Sequence, residues 1–351
     1  MITLKYLDLF AGIGGFRIAA ETSHLKDVSF SPVAYCERDR VCQEFYQKIF
    51  KKSLNGEVFV DNAESIRVNN NRNNSKNILL PKFDLLFAGF PCQTFSNIGD
   101  RKAFGDSRGQ LFFHIVKILS FYRPKYFVLE NVQKISTIDK GKVLESMIKS
   151  LEDAGYHVYL WDLYADKYGL PQRRRRYFFC GVLKRKNGPK KLLLPPPETD
   201  RKKWKYPTVW HLLERNADSR HYIPPRTRLT VLRRNPKWMG DMQIDRPTAR
   251  PITATMAKWH RANQDNYYSD TYISEKNPNP SISPDIDLNK EPIRRITPLE
   301  GFRLQGFPDN FHQAGKRLKI SNTSIYRLIG NAVPVNLTRQ VIDHFIGSYS
   351  D

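Results

Sequence analysis

A doubly wound α/β sheet with a second, smaller, irregular β-rich region is the architecture this sequence predicts. Three observations predict it. Up to about residue 184, short apolar runs alternate with stretches of helical spacing, the rhythm of a sheet covered by helices on both faces. From 184 to 290 the texture changes to Pro, Arg, Asn and Tyr, with no sustained periodicity and with turn signals such as LPPP, IPPR and KNPNPSISP. From Arg294 onward order returns.

The strands are expected at LKYLDLF (4–10), SPVAYCE (31–37), EVFVD (57–61), FDLLFAGF (83–90), KYFVLENV (125–132), YHVYLWDLYA (156–165) and RYFFCGVL (176–183). Each is a short apolar run of the length and composition of a buried strand. Between them RVCQEFYQKIFKK (40–52) and GQLFFHIVKILSFY (109–122) carry apolar residues at helical spacing. NNNRNNSKN (69–77) is a polar low-complexity loop. RLIGNAVPVNLTRQVIDHFI (327–346) reads as one strong amphipathic helix.

The chain has 351 residues, enough for a large core and two domains. Its 57 Lys and Arg against 35 Asp and Glu give a net charge of +22, a surplus that points to a polyanion or an anionic membrane surface. Residues 184–290 hold 22 basic and 11 acidic residues, so half of that surplus lies in under a third of the chain. The sequence has no apolar run of about 18 residues, and its first residues lack the charged start and cleavage site of a signal peptide, so membrane is the poorer partner. Cys36, Cys42, Cys92 and Cys180 show no C-x-x-C spacing, which predicts neither a metal site nor a disulfide framework and implies a reduced, cytoplasmic setting.

Four strand ends stand out. DLFAGIGGF (8–16) places Gly12, Gly14 and Gly15 after the first strand, where glycine lets the backbone turn tightly and approach a ligand. Its spacing is not G-x-G-x-x-G, which favours another adenosine-containing ligand over a dinucleotide, with a purely structural turn as the alternative. Glu37 and Asp61 end the next two strands, where carboxylates suit ribose hydroxyls and an adenine amino group. In GFPCQTFS (89–96), Cys92 lies beyond the apolar run rather than within it. That position makes it a candidate nucleophile at the ligand-gathering edge of a sheet, or else a stray loop thiol.

DLFAGIGGF, GFPCQTFS, ENV (130–132), QRRRR (172–176), RLQGFP (303–308) and GNAVPV (330–335) together resemble the ordered motif set of the DNA (cytosine-5)-methyltransferases, from Asp8 to about Val341. The resemblance is interrupted at 184–290, where that family keeps its variable target-recognition region, and GFPCQTFS resembles the DNA-acting members. It implies a Rossmann-like S-adenosylmethionine-dependent methyltransferase sheet over residues 1–186, a target-recognition domain over 187–321, and a segment 322–351 returning to the catalytic domain. It also implies restriction-modification work on double-stranded DNA, in the cytoplasm and at the nucleoid, beside a restriction endonuclease. An asymmetric cleft between two unequal domains needs no second copy, so a monomer is expected.

Carbon 5 of cytosine is a poor nucleophile, and the family's chemistry first adds a thiolate to carbon 6. By this resemblance Cys92 is the nucleophile and Glu130 supplies the proton or hydrogen bond at N3. Arg174 and Arg176 match the Q-x-R-x-R pattern that supports the pyrimidine carbonyl and nearby backbone; strand alternation leaves open whether this pair or Arg173 and Arg175 faces inward. The family pattern carries Phe10 onto the adenine face, the backbone around Gly12, Gly14 and Gly15 onto the methionine part, Glu37 onto the ribose and Asp61 onto the adenine amino group. Asp8, Ala11 and Pro91 join this site, and Asn331 closes the methionine end. The cofactor becomes S-adenosylhomocysteine, and no metal is implied. Two positions depart from the commoner pattern: Arg38 follows Glu37 where a large apolar residue often packs on adenine, and VDNAES replaces a more usual Gly-Asp-Ile.

A cytosine within a duplex must be flipped out to meet Cys92, at roughly a few kcal/mol. Residues 93–108, polar and containing Gly99 and Gly105, are expected to close over it, with Gln93, Ser96, Arg101, Lys102 and Arg108 against DNA. Arg261, in the TATMAKWHRANQ segment, is expected among the base or backbone readers. Three alternatives remain: an RNA cytosine-5 methyltransferase of the same fold, a catalytically silent DNA-binding homologue, and a nicotinamide-dependent oxidoreductase that leaves GFPCQTFS and the basic region unexplained.

Overall fold

The computed structural model describes residues 1–351 apart from 52, 55, 70–76, 92–109, 185–190, 233–242, 276–286 and 350–351. The chain divides into two compact units: Met1–Leu163 with Arg175–Pro197 and Thr338–Asp351, and Tyr164–Arg174 with Glu198–Leu337. These bounds differ from the expected 1–186, 187–321 and 322–351. Residues 164–174 go with the second unit because their partners lie there: Thr199 N–H donates to the Lys167 carbonyl, and Gln172 and Arg174 bond to residues between 252 and 332.

In the first unit, β1 (Ile2–Leu9), β2 (Val28–Cys36), β3 (Val58–Val60), β4 (Leu85–Gly89), β5 (Tyr126–Val132), β6 (Tyr156–Tyr164) and β7 (Arg175–Leu183) form a seven-stranded sheet. All seven expected strands are present, in the order β3-β2-β1-β4-β5-β7-β6. β1 to β5 run parallel and β7 runs antiparallel to β5. The carboxyl ends of five strands and the amino end of β7 therefore share one sheet edge. Register slips by one residue between Tyr6 and Leu7, where Pro32 stands in β2 and has no N–H to give the ladder.

α1 (Gly15–Glu21), α2 (Arg40–Phe50), α3 (Gln110–Tyr122) and α4 (Lys142–Asp153) supply the crossovers. α2 starts where Asp39 caps the N–H groups of Val41 and Cys42, and it buries Cys42, Phe45, Tyr46 and Phe50. Cover on both faces explains why β4 and β5 bury nearly every residue instead of alternating. Leu86, Ala88, Phe127 and Leu129 lie at the centre of this core. Each large apolar side chain buried this way contributes about 1.5–3 kcal/mol.

The second unit is as irregular as its composition predicts. Its strands among the described residues are the three-residue β8 (Tyr267–Ser269) and β9 (Ile293–Arg295), paired antiparallel. Around them lie short 3-10 turns and the helices α5 (Pro225–Leu232), α6 (Asp270–Ser274), α7 (Pro298–Leu304), α8 (Asp309–Arg317) and α9 (Asn322–Asn331). Thr297 and Glu300 form a capping box that starts α7. The single helix expected at 327–346 is instead two, α9 and α10 (Val335–Gly347). Pro334 has no N–H and disfavours helical geometry at Val333, so the chain turns at Ala332.

Candidate active site

The turn after β1 is built from backbone in the left-handed region, which favours glycine. Phe10, Gly12 and Gly14 have φ of +56°, +55° and +88°. A Cβ on Gly14 would lie 2.4 Å from Cε2 of Phe50, so glycine is required there by space as well as by φ. Ala11 N–H donates to the Cys36 carbonyl (2.9 Å) and Glu37 N–H to the Val60 carbonyl (3.1 Å), which ties together the ends of β1, β2 and β3.

Glu37 is the junction. Its Oε2 accepts the N–H of Gly12 and its Oε1 that of Asp39, both at 2.7 Å, and its own carbonyl accepts from Gln43 Nε2. Burial pushes its carboxyl above the usual range, and the backbone donors of Asp39 and Gly12 pull it back. Asp61, just past β3, is exposed. Asp8 is wholly buried, and neither of its carboxylate oxygens has a hydrogen-bond partner among the described residues. Burial raises its pKa to about 8 against the opposing pull of Arg17.

Arg17, also fully buried, holds this corner. It donates to Glu21, Glu57, Tyr46 and Ser53, and its guanidinium sits 4.3 Å from the Phe50 ring centroid. Sequence reasoning gave it no role, although a lone basic residue inside the apolar GGFRIAA stretch was a signal.

At the same edge, β4 and β5 pair Gly89 with Glu130, and Cys92 follows Gly89 by three residues in the chain. β5 and β7 pair Val132 with Arg176, which makes Glu130 the diagonal neighbour of Arg176 on one face. Their side chains meet, Arg176 Nε to Glu130 Oε1 at 2.6 Å, and both residues are buried. The choice left open by strand alternation resolves here: Arg175 points to the other face and pairs with Asp162, and Arg173 lies over the Tyr164 ring.

Asn131, buried beside Glu130, donates from Nδ2 to the Phe90 carbonyl (3.1 Å) and accepts the Val132 N–H (2.8 Å). It joins the end of β5 to the chain entering Pro91, which is exposed. The ENV motif contained it, but sequence reasoning assigned work only to its glutamate.

The remaining expected site residues belong to the second unit or lie outside the described residues. Arg174 is buried and donates to three backbone carbonyls, those of Ile252, Gly330 and Ala332, each at 2.9 Å. In this arrangement it supports backbone, one of the two tasks expected of it. Gln172, adjacent in the same motif and missed as a site residue, accepts the Ile252 N–H (2.8 Å) and donates to the Leu304 carbonyl (3.0 Å). Asn331 is exposed at the end of α9, and Arg261 is exposed in the 253–264 segment. Cys92, Gln93, Ser96, Arg101, Lys102 and Arg108 lie outside the described residues. Among the described residues no cluster of His, Cys, Asp and Glu is disposed to hold a metal ion, and no helix is long and apolar enough to cross a membrane.

Comparison with known proteins gives concordant results. Residues 4–347 match the model of the C-5 cytosine-specific DNA methylase family. The Type II methyltransferase M.DsaV of Dactylococcopsis salina is 32% identical over 99% of this chain and 87% of its own length. M.HpaII of Haemophilus parainfluenzae is 32% identical over 94% of this chain and 86% of its own. In fold, the chain is similar to an Entamoeba histolytica methyltransferase (TM-score 0.72, 20% identity, all of both chains) and to the S. pombe Dnmt2 methyltransferase (TM-score 0.72, 20% identity, 99% of this chain and all of the other).

Proposed function

This chain belongs to the C-5 cytosine-specific DNA methylase family and is an S-adenosylmethionine-dependent enzyme that methylates cytosine in DNA at carbon 5; on that premise we propose how its own residues divide the work. The residues present fit the cofactor. Asp8 brings a buried carboxyl with no hydrogen-bond partner among the described residues, the Glu37 carboxylate is oriented by the backbone N–H groups of Gly12 and Asp39, and the turn at Gly12 and Gly14 leaves backbone uncovered by any Cβ. Phe10, Ala11, Gly15, Asp61, Pro91 and Asn331 complete the set. When bound, S-adenosylmethionine supplies an electrophilic methyl group carried on a sulfonium.

Cys92 adds as thiolate to carbon 6 of a flipped-out cytosine, and the displaced electron pair moves into the ring. Glu130 supplies the proton at N3, which makes carbon 5 nucleophilic. Arg176 holds the glutamate through Oε1 beside the place the base would take. Arg174 acts on backbone. Once carbon 5 carries the methyl group, a base takes its proton, that electron pair re-forms the C5–C6 double bond, the C6–S bond breaks to release Cys92 as thiolate, and the N3 proton returns to Glu130. The Glu130–Arg176 pair, beside Gly89 on the edge that leads to Cys92, carries this reading.

The basic second unit reads a short duplex sequence, with Arg261, Gln93, Ser96, Arg101, Lys102 and Arg108 against DNA. The curated relatives are named Type II methyltransferases, and this chain is assigned the same restriction-modification role, as a cytoplasmic monomer beside a restriction endonuclease. Labelled S-adenosylmethionine offered with unmethylated genomic DNA, beside tRNA and a Cys92→Ser control, tests the reading. Label at one short motif, lost in the control, is the expected outcome; label confined to tRNA would overturn the substrate.

A further inference from the structure

Residues 252–265 of the second unit have no strand and one turn of 3-10 helix (Met256–Lys258), yet their backbone is fastened at nearly every step. Ile252 is held at both its polar groups, by Gln172 and by Arg174. A Cβ on Gly330 would come within 2.3 Å of the Ala254 nitrogen, so the segment lies directly on the α9 backbone. Arg295 donates to the Ala257 carbonyl (2.9 Å) and stacks 4.0 Å from the ring centroid of Trp259, whose φ of +55° marks a sharp reversal. Tyr267 Oη donates to the His260 carbonyl (2.6 Å), and the Arg261 carbonyl accepts from Gln264 N–H (2.8 Å) and Asp265 N–H (3.1 Å).

From this rigid frame three long polar side chains emerge exposed, at intervals of three residues: Lys258, Arg261 and Gln264. Such bracing fixes the loop's shape, and base reading requires donors fixed before DNA arrives. Their chemistry also fits: Arg and Lys donate to guanine O6 and N7, and Gln pairs with adenine N6 and N7 in the major groove. We infer that Lys258, Arg261 and Gln264 read base edges of the target sequence. The inference rests on the DNA-methylating reading above.

The test uses full-length enzyme, S-adenosylmethionine and unmethylated genomic DNA, with bisulfite sequencing of the products of the wild type and of Lys258→Ala, Arg261→Ala and Gln264→Ala. The expected result is that each variant relaxes preference at one base pair, by about ten- to a hundredfold for Arg261→Ala. Three variants that return the wild-type motif with unchanged preferences overturn the inference alone. So does a loss uniform over all sequences with a shallower salt dependence, the mark of phosphate contacts. A wild type that labels no DNA removes the functional reading first, and the inference with it.

Discussion

The two units reach order by different physics. The first hangs on a mostly parallel sheet whose central strands are apolar on both faces, so its cohesion is spread over many contacts. The second buries apolar side chains too, around Ile223, Val231 and Ile293 and around Phe302, Phe307 and Phe311, but threads buried polar hubs between them. Arg294 makes a two-point pair with Glu300, Asp245 takes both the N–H and the hydroxyl of Ser269, and Arg174 gathers three carbonyls. Irregular backbone leaves N–H and C=O groups that no ladder satisfies, and charged side chains satisfy them at the cost of their own desolvation. Such a frame holds one loop geometry firmly and tolerates loss of a hub badly.

That contrast breaks first at Arg294. Arg294→Met leaves Glu300 charged and buried, and about 3–5 kcal/mol of stability is expected to vanish in denaturant titration. Adding Glu300→Leu is expected to return part of it; a double variant as unstable as the single would show that the hub is not a charge problem. In the first unit, Leu86→Ala removes apolar contact alone, with an expected loss of about 2–5 kcal/mol that no charge change nearby relieves.

Acid sharpens the contrast further. Burial, then the charges of Arg295 and Arg294, lower the pKa of His221 to about 4, so it is neutral in the fold and takes up a proton more readily when unfolded. Its contribution is present above pH 6.5 and is lost as pH falls toward 4, an effect of about 2 kcal/mol. His221→Gln should flatten the acid limb of the unfolding midpoint, and an unchanged limb would reject the assignment.

A second pH effect has the opposite sign. Asp8, raised to about 8, ionises in the unfolded chain well before it does in the fold, so stability declines as pH rises from about 4 toward 8. Asp8→Asn, measured without cofactor, should gain up to about 5 kcal/mol at pH 8 and almost nothing at pH 4. Equal gains at both pH values would point to packing instead.

Where one local rule decides, the sequence was readable. Seven apolar runs became seven strands, and the glycines after the first strand became a turn, because period, length and the φ freedom of glycine act within a few residues. The same reach tied Glu130 and the glycine turn to strand ends. The break at Pro334 obeyed a local rule too, but the helical period on either side masked it.

The rest depended on partners far along the chain. Nothing within QRRRR says that Arg176 meets Glu130 while Arg174 serves carbonyls near residues 252 and 330, since that follows from β7 lying antiparallel beside β5 and from 164–174 joining the second unit. Arg17 and Asn131 were equally silent, because a buried polar side chain declares its task only through what surrounds it. By itself the sequence determined the elements, the charge and the reactive residue types, all fixed by nearest neighbours. Only the tertiary structure decided which charges face each other, because burial and hydrogen-bond partners are properties of segments brought together from across the chain.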